Sequence, residues 1–436
     1  MALPLSPKQV DFVANSTARV NIASGAVRSG KTIASLLKWL MICANPPAGG
    51  ELCVVAKTAQ TAARNLFAPL MNPDIFGGVS KQVHYTMGAP TANILGRKVH
   101  VIGANDARSE SKIRGMTVAA CLADEATLLP EEFWNQMLAR MSVKNAILVA
   151  TTNADSSGHW LRKKFMLNGK LDLRQWHFTL DDNPYLPDEY KNALKLEYGE
   201  GSLFYKRFVE GRWILAEGSI YDMWNPERHV VDVLPSMWRW IALGVDYGTT
   251  NPFAGLLLGT AGEQMYLAAE WRYDSRKERR SLTDVEYSAR LKQWLNTYRP
   301  PGQIQPGVTP EMVAVDPSAA SFMQQLYRDG WSPTPAENGV LDGIRLVSSL
   351  LTTGRLKVHK SCEGLIDEIP GYSWDPAKAL RGIDAPIKVD DHSADAARYA
   401  IATSEASWRN PGLPPDSAMY ETPGAVGSFD FSRAAF

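Results

Sequence analysis

The feature that most constrains this chain is a phosphate-binding loop near its start. Residues 25–32 read GAVRSGKT and match the pattern G-x-x-x-x-G-K-[ST]. They follow the apolar run RVNIAS and precede the helix-like run TIASLLKWLMICA, which is the strand, loop and helix order that this motif requires. Average residue usage gives a chance match in about one chain in a hundred of this length. We therefore predict an α/β domain that binds a nucleotide.

The chemistry of this motif assigns roles to its residues. The glycines let consecutive backbone N–H groups converge on phosphate oxygens, Lys31 reaches the β- and γ-phosphates, and Thr32 ligates magnesium. Upstream of the loop, Gln9 is a candidate for reading the adenine edge. We thus predict that ATP and Mg²⁺ bind at Gln9, Gly25, Arg28, Ser29, Gly30, Lys31 and Thr32.

Two later apolar runs end in polar side chains. The run VAACLADEA ends in adjacent acids, and we assign Asp124 to the magnesium ion and Glu125 to the general base that polarises the attacking water. The run ILVATTN ends in Thr151, Thr152 and Asn153, which are candidates for sensing the γ-phosphate and relaying its loss. A turn-forming polar cluster explains those three residues equally well, so both interpretations stay open.

Two arginines are candidates for neutralising charge in the transition state. Arg28 lies inside the phosphate loop, whereas Arg114, in KIRG, precedes the metal strand and is a candidate for acting on a neighbouring subunit's nucleotide. Either residue is equally well interpreted as a solvated charge.

In the first half, alternation of short apolar runs with helix-like stretches predicts an α/β fold with a parallel sheet covered by helices, and a second strand-rich pattern follows. Candidate strands cover residues 19–23, 52–56, 98–103, 118–123 and 146–150 in the first half, and 240–246, 253–259, 265–271 and 312–316 in the second. We predict a P-loop core over residues 1–180, a helical lid or linker over 181–234 and a second domain over 235–403. Four prolines and no apolar periodicity predict a disordered tail over 404–436.

The second half carries its own group of acids. Asp246 and Asp316 each end an apolar run, and His392 and Asp395 stand three residues apart on a predicted helix. These side chains suit Mg²⁺ or Mn²⁺, and two such ions are able to support phosphodiester cleavage. Each acid alone is equally well interpreted as a strand-end cap. Reserve ligands are Glu270 and Asp391, and we favour a structural role for Glu368.

Charge and apolar content exclude several classes of protein. The 46 Lys and Arg balance 46 Asp and Glu, which argues against a uniformly basic nucleic-acid coat but allows local runs such as residues 162–164 and 276–280. No apolar run is long enough to span a bilayer, and the first residues, MALPLSPKQVDF, lack the apolar core of a signal peptide, so we expect a cytosolic protein without a membrane partner. The four cysteines form no CxxC pair, and we expect reduced core thiols.

These motifs, in the order GAVRSGKT, CLADEA, ATTN, GVDYG, AVDPS and DDHSADAARYA, resemble the large terminase subunit of tailed bacteriophages. The resemblance covers roughly residues 5–402. It implies a P-loop ATPase of the additional-strand type followed by a ribonuclease-H-like nuclease domain. It also implies the ATP, metal and base roles given above, with Asp246, Asp316, Asp395 and His392 at two nuclease metals.

The family further implies a function and a set of partners. It is a motor that hydrolyses ATP to translocate double-stranded DNA into procapsids and that cuts concatemeric DNA. The expected partners are DNA, the portal protein, the procapsid and the small terminase subunit. The expected assembly is a homo-oligomeric ring, a pentamer, in the host cytoplasm. The alternatives are a helicase or recombination ATPase whose second domain only grips DNA, and an inactive adaptor. A transposase or integrase would account for the acids but not for the phosphate loop.

Overall fold

The computed structural model describes residues 5–105, 107–248 and 251–410, and these pack as two compact units. Within that part of the chain, the first unit contains the residues up to Met223 together with Ser348–Thr353 and Pro370–Val389. The second unit contains Trp224–Val347, Gly354–Ile369 and the residues from Asp390 onward. Both units are therefore built from separate stretches of sequence.

The first unit is built around an eight-stranded sheet. Its order is β3-β4-β5-β2-β6-β7-β1-β8, and every pairing from β5 to β8 is parallel. Strand β7 lies between β1 and β6, so one additional strand separates the strand before the phosphate loop from the strand before Asp124. The strands are β1 Val20–Gly25, β2 Glu51–Ala56, β3 Val83–His84, β4 Thr91–Ile94, β5 Arg97–Gly103, β6 Val118–Ala123, β7 Ile147–Asn153 and β8 Leu173–Phe178.

Helices cover both faces of this sheet, because its strands bury apolar side chains in both directions. On β2, for example, Leu52 and Val54 enter one core while Cys53 and Val55 enter the other. The helices of this unit are α1 Pro7–Asn15, α2 Lys31–Ala44, α3 Ala59–Ala62, α4 Ala68–Leu70, α5 Pro73–Phe76, α6 Glu131–Arg140, α7 Asp188–Tyr198 and α8 Leu203–Phe208, together with the later α14 Pro376–Ala379.

The second unit contains a seven-stranded sheet in the order β14-β13-β10-β11-β12-β15-β9. Strands β10, β11 and β12 form an antiparallel meander, and β13 and β14 continue in parallel on the other side of β10. This order and these directions are those of a ribonuclease-H-like fold, as the resemblance implied. The strands are β9 Val230–Val231, β10 Arg239–Asp246, β11 Phe253–Ala261, β12 Gln264–Tyr273, β13 Met312–Val315, β14 Pro333–Pro335 and β15 Leu356–His359.

One helix of the second unit packs unusually close to the sheet. A Cβ atom on Gly244 would lie 2.0 Å from the carbonyl oxygen of Ala396, so only glycine allows α15 to approach β10 this closely. Leu243 and Val245 face the opposite way, into the apolar core. The helices are α9 Pro226–His229, α10 Asp284–Thr297, α11 Ala320–Arg328, α12 Val340–Thr352, α13 Glu363–Glu368, α15 His392–Thr403 and α16 Glu405–Trp408, of which α12 ends within the first unit.

The predicted α/β class and each candidate strand are confirmed, with ends that move by at most three residues. The expectation of a disordered tail is corrected at its start, because α16 lies there and buries Trp408. The rest of that tail lies outside the described residues. All four cysteines are free and buried, as expected. No helix among the described residues is long and apolar enough to cross a membrane. The domain boundaries at 180, 234 and 403 remain predictions.

Candidate active sites

The phosphate loop joins the end of β1 to the start of α2. Gly25 has φ 146° and Gly30 has φ 83°, and both lie in the region of backbone conformation that favours glycine. The Lys31 ammonium is buried under this loop and donates to the carbonyl oxygens of Ala26 at 2.6 Å and Gly25 at 3.3 Å. The Lys31 ammonium is therefore bound by two backbone carbonyls of the loop, at the position where the motif predicts that a lysine contacts phosphates.

Asp124, which follows β6, is held from both sides. Thr151 Oγ1 donates to its Oδ1 at 2.8 Å, and Asn65 Nδ2 donates to its Oδ2 at 3.0 Å. The residue is 2% exposed. Because both oxygens are fixed by neighbours, the carboxylate has one defined orientation at the carboxyl end of its strand.

Glu125 and Lys31 are connected through Asn153. The Asn153 side-chain amide donates to both carboxylate oxygens of Glu125 at 3.1 Å, and its Oδ1 accepts from Lys31 Nζ at 3.0 Å. Glu125 adopts φ 50°, a left-handed conformation that is uncommon for a side chain of this kind and that clusters at functional sites. The Lys31 ammonium beyond β1, the Asn153 amide at the end of β7 and the Glu125 carboxylate after β6 thus form one hydrogen-bonded line.

Burial shifts the acid–base properties of this line. It raises the pKa of Glu125, with a further contribution from the charge of Asp124, although Lys31 and Asn153 oppose the shift. It lowers the pKa of Lys31 to about 8, against the opposing charges of Glu125 and Asp124. A carboxylate with a raised pKa is a stronger base, which suits the role predicted for Glu125.

The other predicted residues of this site are distributed around the loop. Ser29 is buried with its Oγ 3.4 Å from Lys31 Nζ, and Thr32 is half-buried in the first turn of α2. Gln9 is buried, and its side chain donates to the Gly30 carbonyl at 3.1 Å while accepting from the Ser6 amide at the start of α1. Thr152 Oγ1 donates to Thr127 Oγ1 at 3.0 Å, so it fixes the segment after Glu125.

The structure places both predicted arginines at the surface of the first unit. Arg28 is exposed at φ 54° in the phosphate loop, and its carbonyl accepts from Asn183 at 2.7 Å. Arg114 is also exposed and forms an ion pair with Glu110, four residues earlier in the chain. An exposed arginine is able to reach a ligand outside its own subunit, so the roles of both remain predictions.

In the second unit, Asp246 ends β10 and lies against α15. His392 Nδ1 and Asp246 Oδ2 are 2.8 Å apart. Burial raises the pKa of Asp246, and the charges of Asp395 and Asp316 raise it further, while His392 opposes the shift. Burial lowers the pKa of His392, but Asp246 and two other carboxylates raise it above its ordinary value.

The other two acids have partners of their own. Asp395 Oδ1 accepts from Arg398 Nη2 at 3.0 Å, and Asp316, which follows β13, accepts from the Ser318 amide at 2.8 Å. Among the described residues, no three His, Cys, Asp or Glu side chains surround one point closely enough to hold an ion. The donors nevertheless fit Mg²⁺ or Mn²⁺ in kind, because they are hard oxygens whose charges repel one another. The metal roles of Asp246, Asp316, Asp395 and His392 remain predictions.

The reserve residues hold the start of α15. Glu368 accepts from the amides of Ser393 at 2.7 Å and Ala394 at 3.0 Å, so it caps a helix that begins 24 residues later in the chain. Glu270 accepts from the Ser393 hydroxyl and from the Leu365 amide. These contacts favour structural roles for both glutamates. Asp391 is buried immediately before α15.

Sequence reasoning missed three residues that orient these sites. Asn65 holds Asp124, Arg398 holds Asp395, and Arg272 donates to both Glu368 and the Ser393 hydroxyl. Arg398 stands three residues after Asp395 on one helix, and that spacing was a usable signal. Asn65 and Arg272 carried no such signal, because their partners lie far away in the sequence.

Comparison with known proteins agrees with this architecture. A family model described as the N-terminal part of the terminase large subunit, T4likevirus-type, matches residues 22–225. The large terminase of a thermophilic bacteriophage, solved in complex with ADP, is 32% identical with a TM-score of 0.76, and the match covers 91% of this chain and 98% of that one. The same protein in complex with ATP-gamma-S gives 31% and 0.75, over 92% and 99%.

A curated relative is the large terminase subunit of Escherichia phage T5, at 24% identity over 265 residues. That match covers 56% of this chain and spans about half, 55%, of the T5 protein. The two sheets and their sites define a P-loop ATPase fold joined to a ribonuclease-H-like unit. Together with the match to nearly all of the thermophilic phage protein, this shows that the chain belongs to the large terminase family.

Proposed function

We propose that this protein is the motor subunit that packages viral DNA, hydrolysing ATP to move double-stranded DNA into procapsids and cutting concatemers with a metal-dependent endonuclease. The observation that carries the proposal is the hydrogen-bonded line of Lys31, Asn153 and Glu125 beside the phosphate loop. It joins a phosphate-binding cation to a base through one amide, which is what a nucleotide-driven switch needs. Family membership supports the proposal.

In the ATPase site, ATP phosphates would replace the loop carbonyls as partners of Lys31. Lys31 is also hydrogen-bonded to Asn153. Movement of Lys31 would therefore change the hydrogen bonds by which Asn153 orients Glu125. Glu125 would then accept a proton from the attacking water. Thr32 and Asp124 would hold Mg²⁺, which when bound neutralises phosphate charge. Loss of the γ-phosphate would be relayed by Thr151, Thr152 and Asn153 to the segments to which they are hydrogen-bonded.

In the nuclease site, Asp246, Asp316 and Asp395 would hold Mg²⁺ or Mn²⁺, with His392 in or beside the site. Metal ions bound there activate water and stabilise the leaving oxygen of a phosphodiester. Arg398 and the glutamates that fix α15 would orient these ligands. His392 would hold Asp246 through the 2.8 Å contact and so set the direction of its other oxygen.

The partners follow from the same proposal. They are double-stranded DNA, the portal protein and procapsid, and the small terminase subunit, and the working form is a homo-oligomeric ring of five subunits in the host cytoplasm. In such a ring, Arg28 in cis or Arg114 in trans would neutralise transition-state charge. Translocation that ignores sequence requires contacts with backbone phosphates more than with bases.

Two substitutions test the two activities separately. We expect Glu125→Gln to keep ATP binding and to lower the ATPase rate by about 100-fold or more. We expect Asp246→Ala to abolish metal-dependent cutting of plasmid DNA and to keep the ATPase rate. Each variant serves as the folding control for the other, and packaging at the wild-type rate by Glu125→Gln would reject the base assignment.

The second candidate function is a helicase or recombination ATPase whose second unit only grips DNA. It is favoured by the partners that two of the acids already have, Arg398 for Asp395 and the Ser318 amide for Asp316. Such a protein would hydrolyse ATP but would leave plasmid DNA intact in Mg²⁺ or Mn²⁺. Cutting that disappears in Asp246→Ala excludes it, and loss of ATPase activity in Lys31→Ala excludes an inactive adaptor.

A further inference from the structure

The loop after β12 lies at the same edge of its sheet as Asp246. The register pairs Asp246 with Ala254 on β11 and Ala254 with Arg272 on β12, so the three residues form one row across the strands. Strand β12 ends at the next residue, Tyr273. Residues 274–283, which we call the basic loop, therefore begin at the edge where β10 places Asp246.

A chain of contacts links the root of this loop to the nuclease site. Arg272 donates to the hydroxyl of Ser393, the neighbour of His392 at the start of α15. His392 in turn contacts Asp246. The strand that carries the loop is thus tied to the helix that carries two of the predicted ligands.

The basic loop has a defined backbone. Asp274 Oδ1 accepts the amides of Arg276 at 3.0 Å and Lys277 at 3.3 Å, which fixes the first turn. At the other end, the Tyr273 hydroxyl donates to the Arg280 carbonyl at 2.8 Å, and the Arg280 side chain pairs with Glu286 on α10. Between these anchors, Lys277 and Arg279 are exposed.

Charge distinguishes this loop from the other basic run of the chain. Residues 276–280 read RKERR, four cations and one acid, and all five are exposed. In the first unit, all three cations of residues 162–164 contact the protein itself. In the basic loop, the contacts that the structure gives for the cations involve Arg276 and Arg280. The acids of the nuclease site repel a phosphate chain, so a cationic flank is needed to bring it there.

We propose that the basic loop binds the backbone of double-stranded DNA beside the nuclease site, with Lys277 and Arg279 contacting phosphates that flank the cut. The proposal rests on the nuclease function proposed above. Phosphate contacts carry no sequence information, so the loop holds any sequence for cutting. Asp274, Tyr273 and Arg280 act as positioning residues, because they fix the backbone from which the side chains of Lys277 and Arg279 extend.

The test uses the full-length protein and the double variant Lys277→Gln/Arg279→Gln. The charge-matched control is Arg299→Gln/Arg328→Gln, which removes two exposed arginines near the far ends of α10 and α11, away from this edge. Cleavage of a short DNA duplex is measured against DNA concentration in Mn²⁺. Binding of the same duplex is measured without divalent metal by fluorescence anisotropy over a series of salt concentrations.

We expect the loop variant to raise KM about tenfold with kcat unchanged. We also expect it to reduce the slope of log affinity against log salt by about two, at about 0.9 for each lost phosphate contact. The control should match wild type, and ATPase rates and thermal midpoints should be equal in all three proteins.

A loop variant that equals the control in KM and in salt slope overturns the proposal, as does a fall in kcat alone. If wild type does not cut DNA, the proposed nuclease function fails. The salt slopes then still decide whether the loop binds the DNA backbone.

Discussion

Asn65 shows how one uncharged side chain supports the ATPase site. Its amide holds Asp124 Oδ2 at 3.0 Å, and its own Oδ1 accepts from Arg64 Nε at 3.2 Å. A hydrogen bond to a charged group contributes about 1.5–3 kcal/mol. We expect Asn65→Ala to raise the Mg²⁺ concentration needed for half-maximal ATPase activity about tenfold, measured by magnesium titration at fixed ATP. Asn15→Ala, at the exposed end of α1, is the control, and an unchanged magnesium requirement would show that Asn65 does not position Asp124.

Asn153 is the other amide on which this site depends. It restrains Lys31 and Glu125 at once, so we expect Asn153→Ala to lower kcat for ATP about 100-fold without weakening ATP binding. The reason is that Glu125, the proposed base, loses its orientation, while Lys31 loses only a partner that competes with phosphate. Equilibrium binding of a fluorescent ATP analogue and steady-state hydrolysis measure the two effects. Weaker binding with unchanged kcat would contradict the bridging role.

At the scale of elements, the packing of α15 against β10 determines how the predicted nuclease ligands are placed relative to one another. A Cβ atom on Gly244 would lie 2.0 Å from the Ala396 carbonyl, so α15 must shift in Gly244→Ala. We expect a loss of about 2 kcal/mol in stability and loss of DNA cutting, with the ATPase rate retained. Gly255→Ala, on neighbouring β11, is the matched control because its new Cβ comes no closer than 3.5 Å to any neighbouring atom, which is ordinary van der Waals contact. Equal cutting by the two variants would argue against this account.

The same elements show what sequence reasoning was able to predict. The phosphate loop, Asp124 and Glu125, and the strands themselves carry local patterns, and the fold class followed from their order. The contact of Asn65 with Asp124 and the capping of α15 by Glu368 depend on which strands are neighbours and on the direction of a helix that is distant in sequence. No local pattern encodes these contacts, so Asn65 was missed, and the partners behind the structural role predicted for Glu368 became visible only in the structure.

At the scale of the whole molecule, a stretch of the C-terminal half belongs to the first unit. Asp384 forms a buried ion pair with Arg207, with side chains 3% and 5% exposed, and Arg207 also lies 3.8 Å from Asp155, just after β7. Removing one partner of such a pair leaves an uncompensated buried charge, which costs about 3–5 kcal/mol. This pair therefore fastens Pro370–Val389 to the unit that carries the phosphate loop.

We expect Asp384→Asn to lower the stability of the first unit by about 3 kcal/mol and to speed tryptic cleavage after Arg381 and Lys388, both exposed in this stretch. Glu210→Gln, which breaks the exposed pair with Arg212, should change neither measurement noticeably. The double variant Arg207→Met/Asp384→Leu should recover stability, since it removes both charges. Cleavage of Asp384→Asn at the wild-type rate would show that the ion pair does not fasten the stretch.

The discontinuous first unit has a consequence for exchange between related genomes. A recombination event that joins the first 223 codons of one such gene to the remainder of another separates Arg207 from the Asp384 with which it was selected. The first unit of the hybrid then contains a stretch from the other parent, although the crossover falls at the end of that unit's long N-terminal segment. Viable hybrids should therefore carry residues 207 and 384 from one parent or have acquired a matching pair. Covariation of these two positions would show that exchange of the two halves between genomes is restricted.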